Sequence, residues 1–301
     1  MKMFFAFLLI LVSICAESQE LNTLLMNSTF EILGPSKEVG KINNGTVFVM
    51  GRPMKDDPAR GYNVLITAAH VLDEISGDDA VLLLRRKATD GSFTKYQYAV
   101  KIRRLGSNVY VKNADADVAA MYVNLPRELA LSLLTTERLV DDAEFQRLEI
   151  HPGDELLCLG FPLFADANGF PILRSGKIAS YPLIPAKIVK QYLYDFHVFP
   201  GNSGGPVYFS FSNRIYGGAM HLGETVQGVV GLVIQQENST LPEFKDVSLN
   251  IGVVVPSTYI RETIALLPET PPAETFTHIN LPRLIPPLPN PKDMQRRPPS
   301  K

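Results

Sequence analysis

Cysteine is nearly absent: the 301 residues contain two, Cys15 and Cys158. Cys15 lies in an amino-terminal stretch that opens with Lys2 and runs through Phe4, Phe5, Phe7, Leu8, Leu9, Ile10, Leu11 and Val12, too short an apolar run to span a bilayer comfortably. Residues 1–18 have the form of a secretory signal, with Ala16 and Ser18 as the small residues of a cleavage site and a mature chain beginning near Gln19. Its removal takes Cys15 with it. No intramolecular disulfide is then possible, and the loops must be held by packing and hydrogen bonds. The competing reading makes Cys15 a lipid attachment point, but Ile14 precedes it where such signals want Gly, Ala or Ser. The expected location is secreted or periplasmic, with lipid anchoring through Cys15 as the alternative. Cys158, within Leu156-Leu157-Cys158-Leu159-Gly160, is expected to be a buried, inert thiol on a strand.

An excess of charge of one sign is lacking too. A formal net charge of -2 gives no broad electrostatic reason to expect nucleic acid or an anionic membrane as partner, and no stable membrane span is expected. His151, His221 and His278 have no paired spacing with Cys, Asp or Glu that suggests zinc. The glycines of 201–205 are followed by no Lys-Ser or Lys-Thr, which removes the phosphate-cradle reading. No metal and no cofactor is assigned, and no internal repeat is evident.

What is present is enough apolar material, 46% of residues, for a substantial core in one large or two small domains. From Gly45 onward, short apolar or alternating segments are separated by turn residues, the pattern of an all-β domain. Candidate strands are 46–50, 63–67, 80–85, 97–102, 118–123, 155–160, 176–181, 207–209, 228–234 and 251–255. The stretch 124–150 breaks the pattern at Pro126 and continues helix-like over 127–134, as a connection between two halves. Ser257 is placed to cap a helix bearing Ile260, Ile264 and Leu267 before Pro268 stops it. Residues 268–301, rich in proline, are expected to form an extended tail.

Three short motifs carry chemistry. Thr67-Ala68-Ala69-His70 supplies a candidate general base, Asp117-Val118-Ala119 an orienting carboxylate at the start of an apolar run, and Gly201-Asn202-Ser203-Gly204-Gly205-Pro206 a serine exposed between small residues. Asp115 is the nearest rival to Asp117, but the apolar run begins directly after Asp117. A Gly-x-Ser-x-Gly alone is weak; the order His, Asp, Ser, each in a fitting local setting, is not. That order separates the chain from subtilisin-like and α/β-hydrolase arrangements.

Over about residues 40–267 the sequence resembles the trypsin-like serine peptidases, in particular the disulfide-poor bacterial HtrA-type and glutamyl-endopeptidase-type enzymes, which carry Gly-Asn-Ser-Gly at the nucleophile. The resemblance implies an all-β fold of two six-stranded β-barrels of the chymotrypsin type closed by a carboxy-terminal helix, with His70 and Asp117 in the first barrel and Ser203 in the second. It implies a peptidase domain over 42–267 with its barrel boundary near 124–150, preceded at 19–41 by an arm or propeptide. The tail is too short for the PDZ domain that many HtrA-type enzymes carry. The resemblance further implies backbone N–H donors of Gly201 and Ser203 for the oxyanion, and a substrate pocket lined by His197 and Val233. With no carboxylate at His197, cleavage after Lys or Arg is expected to be poor. The implied function is an exported serine endopeptidase acting on protein or peptide through an acyl-enzyme on Ser203. The alternatives are an inactive binding protein on the same scaffold and an esterase using the same triad. The oligomeric state is left open.

Overall fold

The computed structural model describes residues 21–129, 131–238 and 248–276. The expected signal segment and the tail beyond 276 lie outside these residues. The first half runs α1 (Leu21–Ser28), β1 (Thr29–Pro35), β2 (Ile42–Pro53), β3 (Gly61–Thr67), α2 (Ala69–Asp73), β4 (Asp79–Lys87), β5 (Phe93–Lys101), a hairpin of β6 (Arg103–Arg104) and β7 (Ser107–Asn108), β8 (Val111–Lys112) and β9 (Ala119–Tyr122). It forms an antiparallel seven-stranded sheet in the order β5-β4-β1-β2-β3-β9-β8. Alternation sets its faces: Phe30, Ile32, Leu82 and Leu84 turn to the main core, while Leu33, Val81 and Leu83 pack as a small patch on the other side.

The second half begins with α3 (Asp142–Arg147). It continues through β10 (Glu155–Gly160), β11 (Ile172–Ile178), α4 (Ala186–Val189), β12 (Tyr192–Asp195), β13 (Pro206–Ser212), the β14–β15 hairpin (Ile215–Tyr216 with Ala219–Met220), β16 (Thr225–Asn238), β17 (Ser248–Pro256) and α5 (Ser257–Ala265). Six of these strands close a barrel in the order β10-β11-β12-β17-β16-β13. Cys158, Val207, Val230, Val233 and Val254 fill its interior. Their strand neighbours Leu159, Tyr208, Leu232, Val253 and Val255 face the other way, into the core of the first half. The period-2 pattern of these strands thus serves two cores, and this is what joins the halves. α5 adds Tyr259, Ile260 and Ile264 to the first core, each worth about 1.5–3 kcal/mol when fully buried.

Four expectations change. The first half is an open sheet and not a second six-stranded barrel. Its last strands, β8 and β9, have two and four residues against nine in β5, and Pro126 ends the run beyond them. Between β5 and β9 lies a cavity of about 310 Å³ lined by Tyr98, Val100, Met121 and Val123, with Leu267 and Pro268 beside it. None of the residues singled out for chemistry lines it. Second, residues 29–35, assigned above to an arm or propeptide, are an interior strand between β2 and β4; the buried Glu31 hides its alternation. Third, the described residues of 127–134 form no regular helix: Arg127–Leu129 makes one 3-10 turn. The regular helix of the connection is α3, whose first turn is capped by Asp141 accepting from the Glu144 N–H. Fourth, Ser257 lies inside α5, with Pro256 in the cap position, and its hydroxyl donates to the Val140 carbonyl. The start of the tail is docked as well, since the Tyr122 hydroxyl donates to the Pro268 carbonyl at 2.6 Å.

Candidate active site

β3 and β9 pair with Thr67 opposite Ala119, so the residues after Thr67 and before Ala119 emerge at the same end of the sheet. That register brings His70, in the first turn of α2, beside Asp117. Ala68 and Ala69 are buried. Asp117 Oδ1 accepts the His70 backbone N–H at 3.0 Å, and Oδ2 lies 2.5 Å from His70 Nδ1. The carboxylate thereby fixes both the position and the face of the imidazole. Asp115 is exposed and accounts for a turn, its N–H donating to Asn113 Oδ1 at 2.9 Å.

Burial by itself would lower the His70 pKa. The hydrogen bond and charge of Asp117, reinforced by Glu74 and Asp73, outweigh it and hold the ring above its ordinary value. Burial pushes the Asp117 carboxyl up, and its bonds to His70 more than reverse this, leaving it below the usual carboxylate range.

The Ser203 loop leaves the barrel at residue 196 and re-enters it at β13. Gly201 has φ +97°, and a Cβ there would fall 2.2 Å from the Phe161 carbonyl oxygen. Gly204 has φ +87°, and a Cβ would meet both the Thr46 carbonyl oxygen and Thr67 Oγ1 at 2.1 Å. Only glycine meets both demands at either position.

Thr46 ties this loop to the first half, and no local sequence signal announces it. Its hydroxyl donates to the Gly201 carbonyl at 2.6 Å and accepts the Phe161 N–H at 3.2 Å; its own N–H donates to the Ser203 carbonyl at 2.8 Å. Thr67 Oγ1 in turn donates to the Thr46 carbonyl at 2.7 Å. With the carbonyls of Gly201 and Ser203 held inward by Thr46, the N–H groups of the same two residues have no acceptor among the described residues. Opposite Thr46 on β1 stands Glu31, whose carboxyl is pushed up to about 7 by burial, against the lowering effect of the Asn44 amide that donates to it. Asn44 Nδ2 lies 2.7 Å from where a Gly201 Cβ would be, so Glu31 backs the loop through Asn44.

Ser203 Oγ donates to the Ile234 carbonyl at 3.0 Å and not to His70; hydrogen bonds at such sites are often incomplete without substrate. Val233 is fully buried, and its main chain holds the loop: Gly204 N–H donates to its carbonyl at 2.7 Å and its own N–H to the Gly205 carbonyl at 2.9 Å. His197 is half-buried and stacked on Phe199, with ring centres 4.2 Å apart.

Cys158 faces the barrel interior at 1% exposure, and burial pushes its thiol up to about 12. Alkylation with iodoacetamide under native conditions is expected to leave Cys158 unmodified by mass spectrometry; rapid modification of the folded chain would contradict this burial. Among the described residues no three His, Cys, Asp or Glu side chains are grouped to hold a metal ion, and no helix is long and apolar enough to cross a membrane.

No family model matches the chain, and no curated protein matches it. Solved structures do. A serine endoprotease from Yersinia pestis is 14% identical with a TM-score of 0.44, over 81% of this chain and 63% of that one. The active form of the Rv3671c protease from M. tuberculosis is 18% identical with a TM-score of 0.45, over 84% and 86%. The protease Anisep from Arthrobacter nicotinovorans is 15% identical with a TM-score of 0.46, over 80% and 94%. This chain thus spans less than two thirds of the Yersinia protein's length.

Proposed function

We propose that the chain is an exported serine endopeptidase that hydrolyses peptide bonds through an acyl-enzyme on Ser203. The observation that carries this reading is the pairing of an Asp117-bound His70 with a serine loop whose Gly201 and Ser203 N–H groups are unspent among the described residues. A substrate carbonyl seated on those two donors gains most as its oxygen becomes negative; a single such donor is worth about 10²–10³ in kcat. For attack, Ser203 Oγ turns from the Ile234 carbonyl toward His70 Nε2, which takes the proton as the Oγ–carbon bond forms. The imidazolium, stabilised by Asp117, then delivers that proton to the leaving amine as the C–N bond breaks. Water repeats the sequence against the acyl-enzyme, restoring the serine.

An uncharged peptidyl phosphonate tests the reading. It is expected to label wild-type protein at Ser203, located by peptide mapping, and to leave Ser203→Ala unlabelled. The labelling rate should rise with pH through an apparent pKa above 6.5, because His70 must be neutral to act as base and its value is raised. The stability linkage has the opposite sign: a raised imidazole pKa stabilises the fold below the ordinary value, and this is lost as pH rises through the raised one. Absence of labelling in folded wild-type protein across this pH range would refute the assignment.

A further inference from the structure

The cavity between β5 and β9 takes no part in the chemistry, and its walls are open edges of the first-half sheet. Residues 98–101 line it on one side and 121–124 on the other. Successive side chains of a strand point to opposite faces, so four residues in a row line a cavity only where the strand's edge borders it. β5 pairs with β4 alone, and β8 covers β9 only at Ala119 and Ala120. The Ile102 N–H donates to the Asp78 carbonyl at 2.8 Å and the Val123 N–H to the Asn63 carbonyl at 3.0 Å. By the alternation of an antiparallel ladder, Ala99 and Lys101 on β5 and Tyr122 on β9 then turn their main-chain groups into the gap. Tyr98 bridges the gap with its whole side chain, its hydroxyl donating to the Asn124 carbonyl at 2.7 Å. Val109, also on the cavity wall, is 36% exposed.

The chain itself leads to this cavity. After α5, Arg52 donates to the Leu267 and Pro268 carbonyls and the Tyr122 hydroxyl to that of Pro268, which holds the chain against β9. Thr275 then lines the cavity, and the described residues end at 276 with 25 more to follow. Ile279, Leu281, Leu284, Ile285 and Leu288 all fall within the next 12 of these, while 289–301 hold Met294 alone among large aliphatic residues. Such a cluster left in water is a liability for a soluble chain. Extended chain covers at most about 3.6 Å per residue, so Ile279 and Leu281 lie within about 14 and 22 Å of Thr275, close enough to enter the cavity. Residues 277–281 contain no proline and no Asp, Glu, Lys or Arg. Each therefore carries an N–H that the carbonyls of an open edge can accept.

We propose that the cavity between β5 and β9 is the docking site of this chain's own residues 277–281, which pair with an open edge and set Ile279 and Leu281 against Val100, Met121 and Val123. Tethered at 276, the segment acts at an effective concentration in the millimolar range, so a weak intrinsic affinity suffices to hold it there against a separate peptide. Its place matters because β9 begins two residues after Asp117, and the docked segment braces that strand. The proposal is independent of the peptidase reading, and its test uses no activity.

Photocrosslinking and thermal melts provide the test. Benzoylphenylalanine in place of Ile279, in the otherwise unchanged full chain, is expected to give an adduct within one chain that mass spectrometry maps to 98–101, 109 or 121–124. Ile279→Asp combined with Leu281→Asp should lower the melting temperature by about 5 °C or more, as should removal of 277–301. Val109→Asp changes the cavity wall at an exposed position. It should cost about 3 °C or more in the full chain and less than about 1 °C once 277–301 are gone, because its partner is then absent. If the shortened chain does not fold, the Ile279→Asp, Leu281→Asp chain serves as the background for the same comparison. An adduct between two chains would mean that a second copy supplies the segment, and overturns docking within one chain. Adducts that map elsewhere or do not form, a melting temperature unmoved by either tail change, or an equal cost of Val109→Asp in both backgrounds overturns the proposal as well.

Discussion

Ser203→Ala is expected to lower kcat for peptide hydrolysis by about 10⁶-fold, since the nucleophile and its base act as a unit and lose nearly everything together. The residual rate comes from the Gly201 and Ser203 amides, which the substitution leaves in place. His70→Ala should cost nearly as much, and the double variant no more than either single one. The fold should barely notice: the hydroxyl makes one hydrogen bond, to the Ile234 carbonyl, a contact worth about 1 kcal/mol net. Thr46 and Val233 hold the loop through main-chain bonds that alanine preserves. Steady-state kinetics and a thermal melt on the same purified protein decide the matter. Near-normal turnover in Ser203→Ala would end the serine-nucleophile assignment; should that variant instead melt far below wild type, mapping of the phosphonate adduct in wild-type protein decides whether Ser203 is the nucleophile.

Those residues were legible in the sequence because their constraints are local. Thr67-Ala68-Ala69-His70 is a strand end that turns at once into a helix, and the serine loop packs so closely on it that a Cβ on Gly204 would fall 3.0 Å from the Ala68 nitrogen. The glycines of 201–205 announce a tight loop for the same reason. Thr46 was illegible as a functional residue. It acts on Gly201 from 155 positions away, through one hydroxyl and its own peptide group, and a threonine in a strand is unremarkable.

The strands themselves were mostly legible, and their closure was not. Period-2 alternation locates a strand and its two faces but says nothing of which edges meet. The first half therefore looked like a barrel, although β8 and β9 are too short to ladder with β5, and side chains of both edges line a cavity there instead. β1 escaped because Glu31 sits in it, fully enclosed. A buried carboxyl in a strand breaks the apolar pattern that reveals strands. Here that break coincides with the support of the serine loop through Asn44.

Asp117→Asn is expected to lower kcat by about 10⁴-fold at neutral pH with the backbone unmoved, by analogy with the corresponding change in well-studied serine proteases. The geometry supplies the reason. Asp117 accepts twice, from the His70 backbone N–H through Oδ1 and from Nδ1 through Oδ2. An asparagine has one oxygen, and the backbone N–H can only donate, so the amide oxygen stays there and the NH₂ group faces Nδ1. Nδ1 must then accept, which places the imidazole proton on Nε2, where it cannot receive one from Ser203. The substitution also removes the carboxylate whose hydrogen bond and charge do most to raise the His70 pKa. The ascending limb of whatever activity remains should therefore shift to lower pH than in wild type. Asp115→Asn is the control: that side chain is exposed and makes no bond to His70, so kcat should stay within about twofold of wild type. Kinetics of the two variants across pH 5 to 9 separate the cases. A loss in Asp115→Asn comparable to that in Asp117→Asn would show that the orienting carboxylate has been misassigned.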